Sequence, residues 1–332
     1  MSSGNQSDFS QPMADQIQTV RRGRLDELDY LKCVMVVLMV SFHLVHISDT
    51  YPYAKQVVYT FHMPVFLILS GFLMKVEKDV RPFLRTIVWF LVPYLVMESG
   101  YTLMASVLPI REHIDQLTPL VFLDKLFVSP LGPYWYLHTL ILCGLTYYGV
   151  FRLQRLTLLS RWIVMGLAFA FYAFVGLVAL DLSLYFLAGA VVRHSGLPFL
   201  CVFRPSWLSL PALLLLVVHP SNVQPYTVGS VLIVYLVVSL LLAVYPFVPE
   251  SLRRGMLFLG RNTLIVFLFS PIFTILCKPL VPVLSFDASA LLFLVVSLAV
   301  CLTGSIAVGW LLDRCRVSPL MFGRQRVVAP FS

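Results

Sequence analysis

Three side chains that can carry a positive charge, Lys32, His43 and His46, lie in one apolar run of the chain, LDYLKCVMVVLMVSFHLVHI at 28–47. Lys32 and His43 are 11 residues apart, which on an α-helix is about three turns and about 16 Å of rise along one face. His46 follows three residues later and joins that face. Because ionisable groups in an apolar helix normally face protein or a wet cavity, this face is predicted to line a hydrated space.

The chemistry available on this face is anion binding by the lysine and proton transfer by a histidine, whose reference pKa is about 6.5. Each residue also has a structural interpretation. Lys32 can be an interface residue whose ammonium reaches water, and His43 can be hydrogen-bonded inside a helix bundle. His46, near the end of the run, is interpreted as structural.

A second apolar run, YTFHMPVFLILSGFLMK at 59–75, carries His62, which lies about a turn and a half inside the predicted span 56–74 from its outer end. If the two runs are adjacent antiparallel helices, His43 and His62 lie in the same half of the bilayer and can meet in one pocket. Pro64, Ser70 and Gly71 allow local bending and close packing. The alternative is a packing motif with one hydrogen-bonded histidine.

The composition indicates which elements must position these residues. The 332 residues are 59% hydrophobic and 12% charged, with a mean hydropathy of +0.88, which is unusual for a soluble domain. Repeated apolar runs therefore predict an all-α, polytopic transmembrane helix bundle. The six cysteines show no CxxC spacing, so neither a disulfide framework nor a zinc site is indicated, and no metal is expected.

About ten membrane spans are predicted, with both termini in the cytoplasm. Residues 113–130 are interpreted as an interfacial or re-entrant segment. The predicted organisation is a disordered cytoplasmic tail at 1–24, a membrane domain at 25–315 and a cytoplasmic tail at 316–332. The candidate spans are 29–48, 56–74, 83–106, 133–151, 161–179, 182–193, 205–219, 227–245, 256–277 and 287–312.

The positions of the basic residues agree with this topology. All but four of the 24 Lys and Arg residues fall on the cytoplasmic side, as the positive-inside rule requires. The exceptions are Lys55, Arg111, Lys125 and Lys278. The excess of basic residues behind the net charge of +8 is thus explained by the orientation of the chain in a lipid bilayer. A nucleic-acid partner is not expected.

Several segments carry a family resemblance. LDYLKCVMVVLMVSFH at 28–43, a basic residue followed by ten residues and a histidine, resembles the first-helix signature of the acyltransferase 3 family of integral membrane O-acyltransferases. FHMPVFLILSGFLMK at 61–75 resembles its second-helix motif. Later blocks are similar in the family order, at 91–95, 133–142, 185–192 and 259–271. Cys33 and Ser270 depart from the pattern, where glycine and histidine are common. The subgroup most resembled is the sugar and exopolysaccharide O-acetyltransferases.

The resemblance implies transfer of an acyl group, usually acetyl from cytoplasmic acetyl-CoA, to a hydroxyl of a sugar or of a lipid-linked or cell-surface glycan. It implies a multi-pass protein, expected in a bacterial inner membrane. Lys32, Arg81 and Arg85 would hold the CoA phosphates. His43 would be the general base or a transient acyl carrier, and His62 or a nearby hydroxyl would stabilise the oxyanion.

Two further residues have both a functional and a structural interpretation. Glu98, in the third span, either orients a histidine as the acid of a triad does, bonds a neighbouring helix, or lies near the outer interface where water reaches it. Trp135, between two tyrosines, is either a residue of the interfacial aromatic belt or a surface on which the sugar acceptor stacks.

Two other classes of function remain open. A transporter or glycan flippase would also place polar residues near the midplane, although the chain shows no internal repeat. A non-catalytic membrane scaffold would make Lys32, His43 and His62 unnecessary.

Overall fold

The structure is a computed structural model, and it describes residues 25–107 and 112–331. The described residues form α-helices joined by turns and short 3-10 segments, with no strand among them, so the predicted all-α class is confirmed. The tail predicted at 1–24 and Arg111 lie outside the described residues.

Each of the ten predicted spans contains a helix. In chain order the helices are α1 (Asp26–His43), α2 (Val45–Thr50), α3 (Pro52–Leu73), α4 (Val80–Val107), α5 (Pro119–Phe127), α6 (Trp135–Arg152), α7 (Leu158–Phe174), α8 (Leu180–His194), α9 (Phe199–Val202), α10 (Ser209–Val217), α11 (Val228–Val244), α12 (Glu250–Arg261), α13 (Thr263–Leu276), α14 (Leu280–Val283), α15 (Leu291–Arg314) and α16 (Ser318–Phe322). The sequence periodicity thus located the helices, with boundaries that differ by a few residues.

Four of these helices are long and apolar enough to cross a membrane: α3, α4, α15, and α11 together with the turn that follows it. The pair α12 and α13 makes a fifth if it forms one span, and its two halves meet at 84°. Long apolar helices of this kind mark an integral membrane protein. The count of ten crossings and the cytoplasmic position of both ends stay predictions.

Helices α3 and α8 pack with their backbones in contact. A Cβ on Gly71 would collide with the carbonyl oxygen of Phe186, and a Cβ on Gly189 would collide with that of Ile68. Small residues at such a crossing allow the close approach that stabilises helix pairs in lipid. The contact fixes α3, the helix that carries His62, between α8 and α1.

The start of α1 is held by charge against the end of α12. Arg261 lies 3.3 Å from Asp26 and 3.5 Å from Asp29, and the Lys32 ammonium lies 2.5 Å from the other oxygen of Asp29. Asp29 is 1% exposed, so its carboxylate lies between two cations. This pairing compensates the burial of the charge and sets the position of Lys32.

The chain after α15 folds back onto the bundle. Asp313 accepts hydrogen bonds from the Ser318 hydroxyl and from the backbone N–H groups of Val327 and Val328. Asn262, at the bend between α12 and α13, accepts one from the N–H of Ala329. We call residues 316–331 the C-terminal segment. These hydrogen bonds make the C-terminal segment part of the packed structure.

Candidate active site

His43 and His62 have the same local hydrogen bonding. Nδ1 of His43 lies 2.7 Å from the carbonyl oxygen of Met39, and Nδ1 of His62 lies 2.8 Å from that of Val58. A carbonyl only accepts, so each neutral ring carries its proton on Nδ1. Nε2 of each imidazole is therefore left with a lone pair that can accept a proton.

The aromatic ring of Tyr59 contacts both histidines. Its centroid lies 6.2 Å from the ring of His43 and 5.0 Å from that of His62. Its hydroxyl donates to the carbonyl oxygen of Phe42 over 3.3 Å. The structure thus brings the two predicted histidines together around a residue that the sequence analysis did not single out. The signal was present, because Tyr59 precedes His62 by three residues on the same helix face.

One cavity, of about 420 Å³, extends along α3 from its end towards His62. We call it the inner cavity. Three lysines line it, Lys32, Lys75 and Lys78. Lys32 thus faces a cavity, and the two lysines of the α3–α4 turn join it there. That this space is hydrated stays a prediction. Together these lysines give the cavity a cationic wall that suits an anionic ligand.

Three aromatic residues line the inner cavity on the side of His62. Phe66 and Phe267 lie 5.9 Å and 5.4 Å, between ring centroids, from Tyr136. The Tyr136 hydroxyl and Ser70 Oγ are 2.7 Å apart. We call Phe66, Tyr136 and Phe267 the aromatic cluster. His62 precedes Phe66 by four residues, about one helical turn and about 6 Å of rise, so the histidines lie just beyond it.

The α3–α4 turn that carries Lys75 and Lys78 is held in place by two arginines. Arg193 pairs with Glu77 at 2.9 Å and donates to the carbonyl oxygen of Phe72. Arg152 donates to the carbonyl oxygen of Lys78. Burial alone would raise the pKa of Glu77, but its hydrogen bonds and the Arg193 charge outweigh this and hold the pKa below its ordinary value.

The other two predicted phosphate ligands, Arg81 and Arg85, line a second cavity of about 460 Å³ between α4 and the C-terminal segment. We call it the arginine cavity. Its wall also includes Arg324. It shares Thr86, Phe90 and Leu264 with the inner cavity, so the two are neighbours. The structure therefore divides the predicted cationic mouth into two adjoining parts.

A third cavity, of about 340 Å³, lies at the other end of α3. We call it the outer cavity. Polar side chains line it, among them Gln56, Tyr59, Asp181 and Gln224. Its α3 residues run from Pro52 to Pro64, whereas those of the inner cavity begin at Phe66. The two cavities thus approach the histidine pair from opposite ends of one helix.

The hydrogen bond that the structure shows for Glu98 is to neither histidine. It is 0% exposed, and its Oε1 accepts from the N–H of Leu131 at 2.6 Å. Glu112 accepts from the N–H of Gly132 at 2.6 Å. Tyr94 donates to the carbonyl oxygen of Leu126. Glu98 is therefore one of several residues that hold the α5–α6 connection against α4.

Trp135 and His46 do not join these cavities. Trp135 is half-buried and meets Tyr136 edge-on at 6.4 Å, and it lines none of the three cavities. His46 meets Phe293 edge-on at 5.1 Å. Among the described residues, no group of three or more His, Cys, Asp and Glu side chains could hold a metal ion.

Comparison with known proteins identifies a family. The family model Acyl_transf_3, described as an acyltransferase domain, matches residues 25–310. No curated protein and no solved structure matches the chain. The matched segment contains both histidines and every α3 and α4 residue that lines a cavity, and it ends before the C-terminal segment.

Proposed function

The chain belongs to this acyltransferase family, and we propose that it is a membrane O-acyltransferase that moves an acetyl group from acetyl-CoA to a hydroxyl of a sugar or cell-surface glycan. The observation that carries the proposal is the position of the histidine pair. His43 and His62, each with an accepting Nε2, lie between a cationic cavity and a polar cavity at opposite ends of α3.

The inner and arginine cavities suit the donor. The phosphates of coenzyme A need cations, which Lys32, Lys75 and Lys78 supply on one wall and Arg81 and Arg85 supply next to it. The long, weakly polar arm that carries the thioester fits the apolar part of the inner cavity. Its acyl end would then stop at the aromatic cluster, about one turn from His62.

The outer cavity suits the acceptor. A sugar needs side chains that exchange hydrogen bonds with several hydroxyls and an aromatic surface against which its C–H groups can pack. Gln56, Asp181 and Gln224 supply the first, and Tyr59 and Tyr226 supply the second. Because Tyr59 also contacts both histidines, a hydroxyl bound beside it has a short path to Nε2. That Trp135 contributes to acceptor binding stays a prediction.

In direct transfer, the acceptor oxygen attacks the thioester carbonyl while Nε2 of His43 takes the hydroxyl proton. The tetrahedral oxyanion then collapses, the C–S bond breaks, and the departing thiolate takes the proton from His43. In the alternative route Nε2 of His43 attacks first, the C–S bond breaks, CoA leaves as the thiolate, and His43 carries the acyl group as an acyl-imidazolium. The acceptor hydroxyl then attacks this carbonyl, its proton passes through Nε2 of His62 to the thiolate, and the C–N bond breaks to release neutral His43. Because His62 keeps its proton on Nδ1, it can donate to the oxyanion from Nε2 only as an imidazolium.

The test compares His43→Ala with His46→Ala in purified protein supplied with radiolabelled acetyl-CoA and host glycan. His43→Ala should lower transfer by about 10²-fold or more while CoA binding stays unchanged, because proton transfer by a positioned base contributes about 10²–10⁴-fold. His46→Ala should keep near-normal transfer, since it packs against Phe293 and lies outside the pair.

Full transfer by His43→Ala would remove this residue from the mechanism. A wild-type protein that neither binds nor consumes acetyl-CoA would instead support the transporter alternative. NMR of the host's surface glycan with and without the protein would identify the acceptor through a lost O-acetyl signal.

A further inference from the structure

The C-terminal segment lies beyond the family match yet forms one wall of the arginine cavity. Asp313 and Asn262 hold it through four hydrogen bonds. Gly323 has a positive φ of 64°, and a Cβ there would collide with the indole of Trp89. The segment therefore has a defined path over α4, and Gly323 is required for it.

This path places Arg324 on the same cavity as Arg81 and Arg85. No Asp or Glu lines that cavity, and none of the three arginines forms an ion pair with a described residue. Three like charges around one cavity repel one another, and an anion bound among them relieves this repulsion. The guanidinium group is also the side chain best matched to the oxygens of a phosphate.

We propose that the C-terminal segment completes a phosphate-monoester site, in which Arg324 acts with Arg81 and Arg85 on the 3′-phosphate of the donor's nucleotide. The inference rests on the proposed function for the identity of the donor. A phosphate monoester carries about 1.5 to 2 negative charges at pH 7, more than each diester-like phosphate of the same nucleotide. The 3′-phosphate is thus the group of the donor that three cations suit best. The rest of the donor would lie in the adjoining inner cavity.

The experiment measures binding by titration calorimetry of the full chain in detergent, with CoA, 3′-dephospho-CoA and adenosine 3′,5′-bisphosphate as the probes. The wild type should bind CoA at least 10-fold more tightly than 3′-dephospho-CoA. Arg324→Ala should lose about 10-fold in affinity for CoA and for the bisphosphate, about 1.4 kcal/mol, because a charge-assisted hydrogen bond to the phosphate is removed. Its affinity for 3′-dephospho-CoA should not change.

Arg326→Ala is the matched control, since this exposed arginine lies two residues further along the same segment and does not line the cavity. It should bind all three probes as the wild type does. Gly323→Val, which displaces the segment from Trp89, should reproduce the loss seen in Arg324→Ala.

The outcomes separate this inference from the proposed function. Equal binding of CoA by Arg324→Ala and the wild type would overturn the site, whether or not the wild type transfers acetyl. Binding of none of the probes by the wild type would also overturn it. A protein that binds the bisphosphate through Arg324 but transfers no acyl group would keep the site and refute the proposed reaction.

Discussion

A pair of substitutions can decide whether the buried carboxylate of Glu98 has a structural or a catalytic role. One oxygen accepts from the Leu131 N–H, and the other is buried with no hydrogen-bond partner among the described residues. Glu98→Gln keeps a carbonyl oxygen that can accept from Leu131 and replaces the other carboxylate oxygen with an NH2 group of similar size. Glu98→Ala leaves the Leu131 N–H unpaired, which costs about 1–3 kcal/mol.

We therefore expect Glu98→Gln to retain both thermal stability and acetyl transfer, and Glu98→Ala to unfold at a lower temperature. Thermal unfolding in detergent measures the stability of both variants, and a transfer assay measures their activity. A Glu98→Gln protein that is as stable as the wild type but inactive would place this residue in the chemistry, as the acid of a triad.

At the residue scale, the sequence was informative where spacing alone determines a face. The spacing of Lys32 and His43 predicted that both lie on one helix face. In the structure Lys32 lines the inner cavity and His43 packs against Tyr59, beside His62. Tyr59 was missed although it precedes His62 by three residues, because aromatic residues are common in apolar runs and the sequence does not show which of them packs against a histidine. Arg324 was missed because its place depends on a chain reversal that no local pattern encodes.

At the scale of elements, a substitution at the crossing of α3 and α8 tests whether this contact keeps α3, and so the candidate site, in position. Gly189→Ala adds a Cβ that collides with the backbone of Ile68, and backbone cannot move aside as a side chain can. We expect a loss of about 1–3 kcal/mol in stability, the usual cost of overpacking, and lower transfer because α3 lines both cavities.

Gly166→Ala in α7 is the matched control, because a Cβ there meets nothing within 4 Å. It should be neutral or slightly stabilising, since alanine favours helix by up to about 1 kcal/mol over glycine. Both variants are compared by thermal unfolding under the same conditions. Equal behaviour of the two would show that the α3–α8 contact does not limit stability.

The apolar runs predicted the helices well, because period and length are local properties of the chain. They did not predict the 84° bend between α12 and α13. The single predicted segment 256–277 covers both sides of it, since each side is apolar enough to continue a helix. The bend lies at Asn262, whose side chain bonds to Phe258 and Ala329 instead, and the second of these contacts is remote in sequence.

At the scale of the whole molecule, labelling of Cys315 can show on which side of the membrane the C-terminus lies. It is the exposed cysteine at the end of α15. If the C-terminus is cytoplasmic, a membrane-impermeant maleimide should label Cys315 only after the cells are permeabilised. The assay uses a Cys201→Ser background, because Cys201 is the other cysteine that is not buried.

The control for this assay is Lys278→Cys combined with Cys315→Ser. Lys278 is exposed just after α13, on the side predicted to be outside. It should be labelled in intact cells. Labelling of Cys315 in intact cells would instead mean that the orientation, or the parity of the spans, is wrong.

The proposed reaction has an electrical consequence if the inner and outer cavities fill with water and open to opposite sides of the membrane. Water in them would then carry the bulk potentials inward, and the drop would concentrate on the thin layer that holds the aromatic cluster and the histidines. In the proposed reaction the acceptor loses a proton on one side of this layer, and the CoA thiolate gains one on the other. A charge that crosses the whole drop gains or loses about 2.3 kcal/mol per 100 mV. Acyl transfer whose proton follows this path is therefore electrogenic, and an energised membrane with a negative interior would pull it towards the ester.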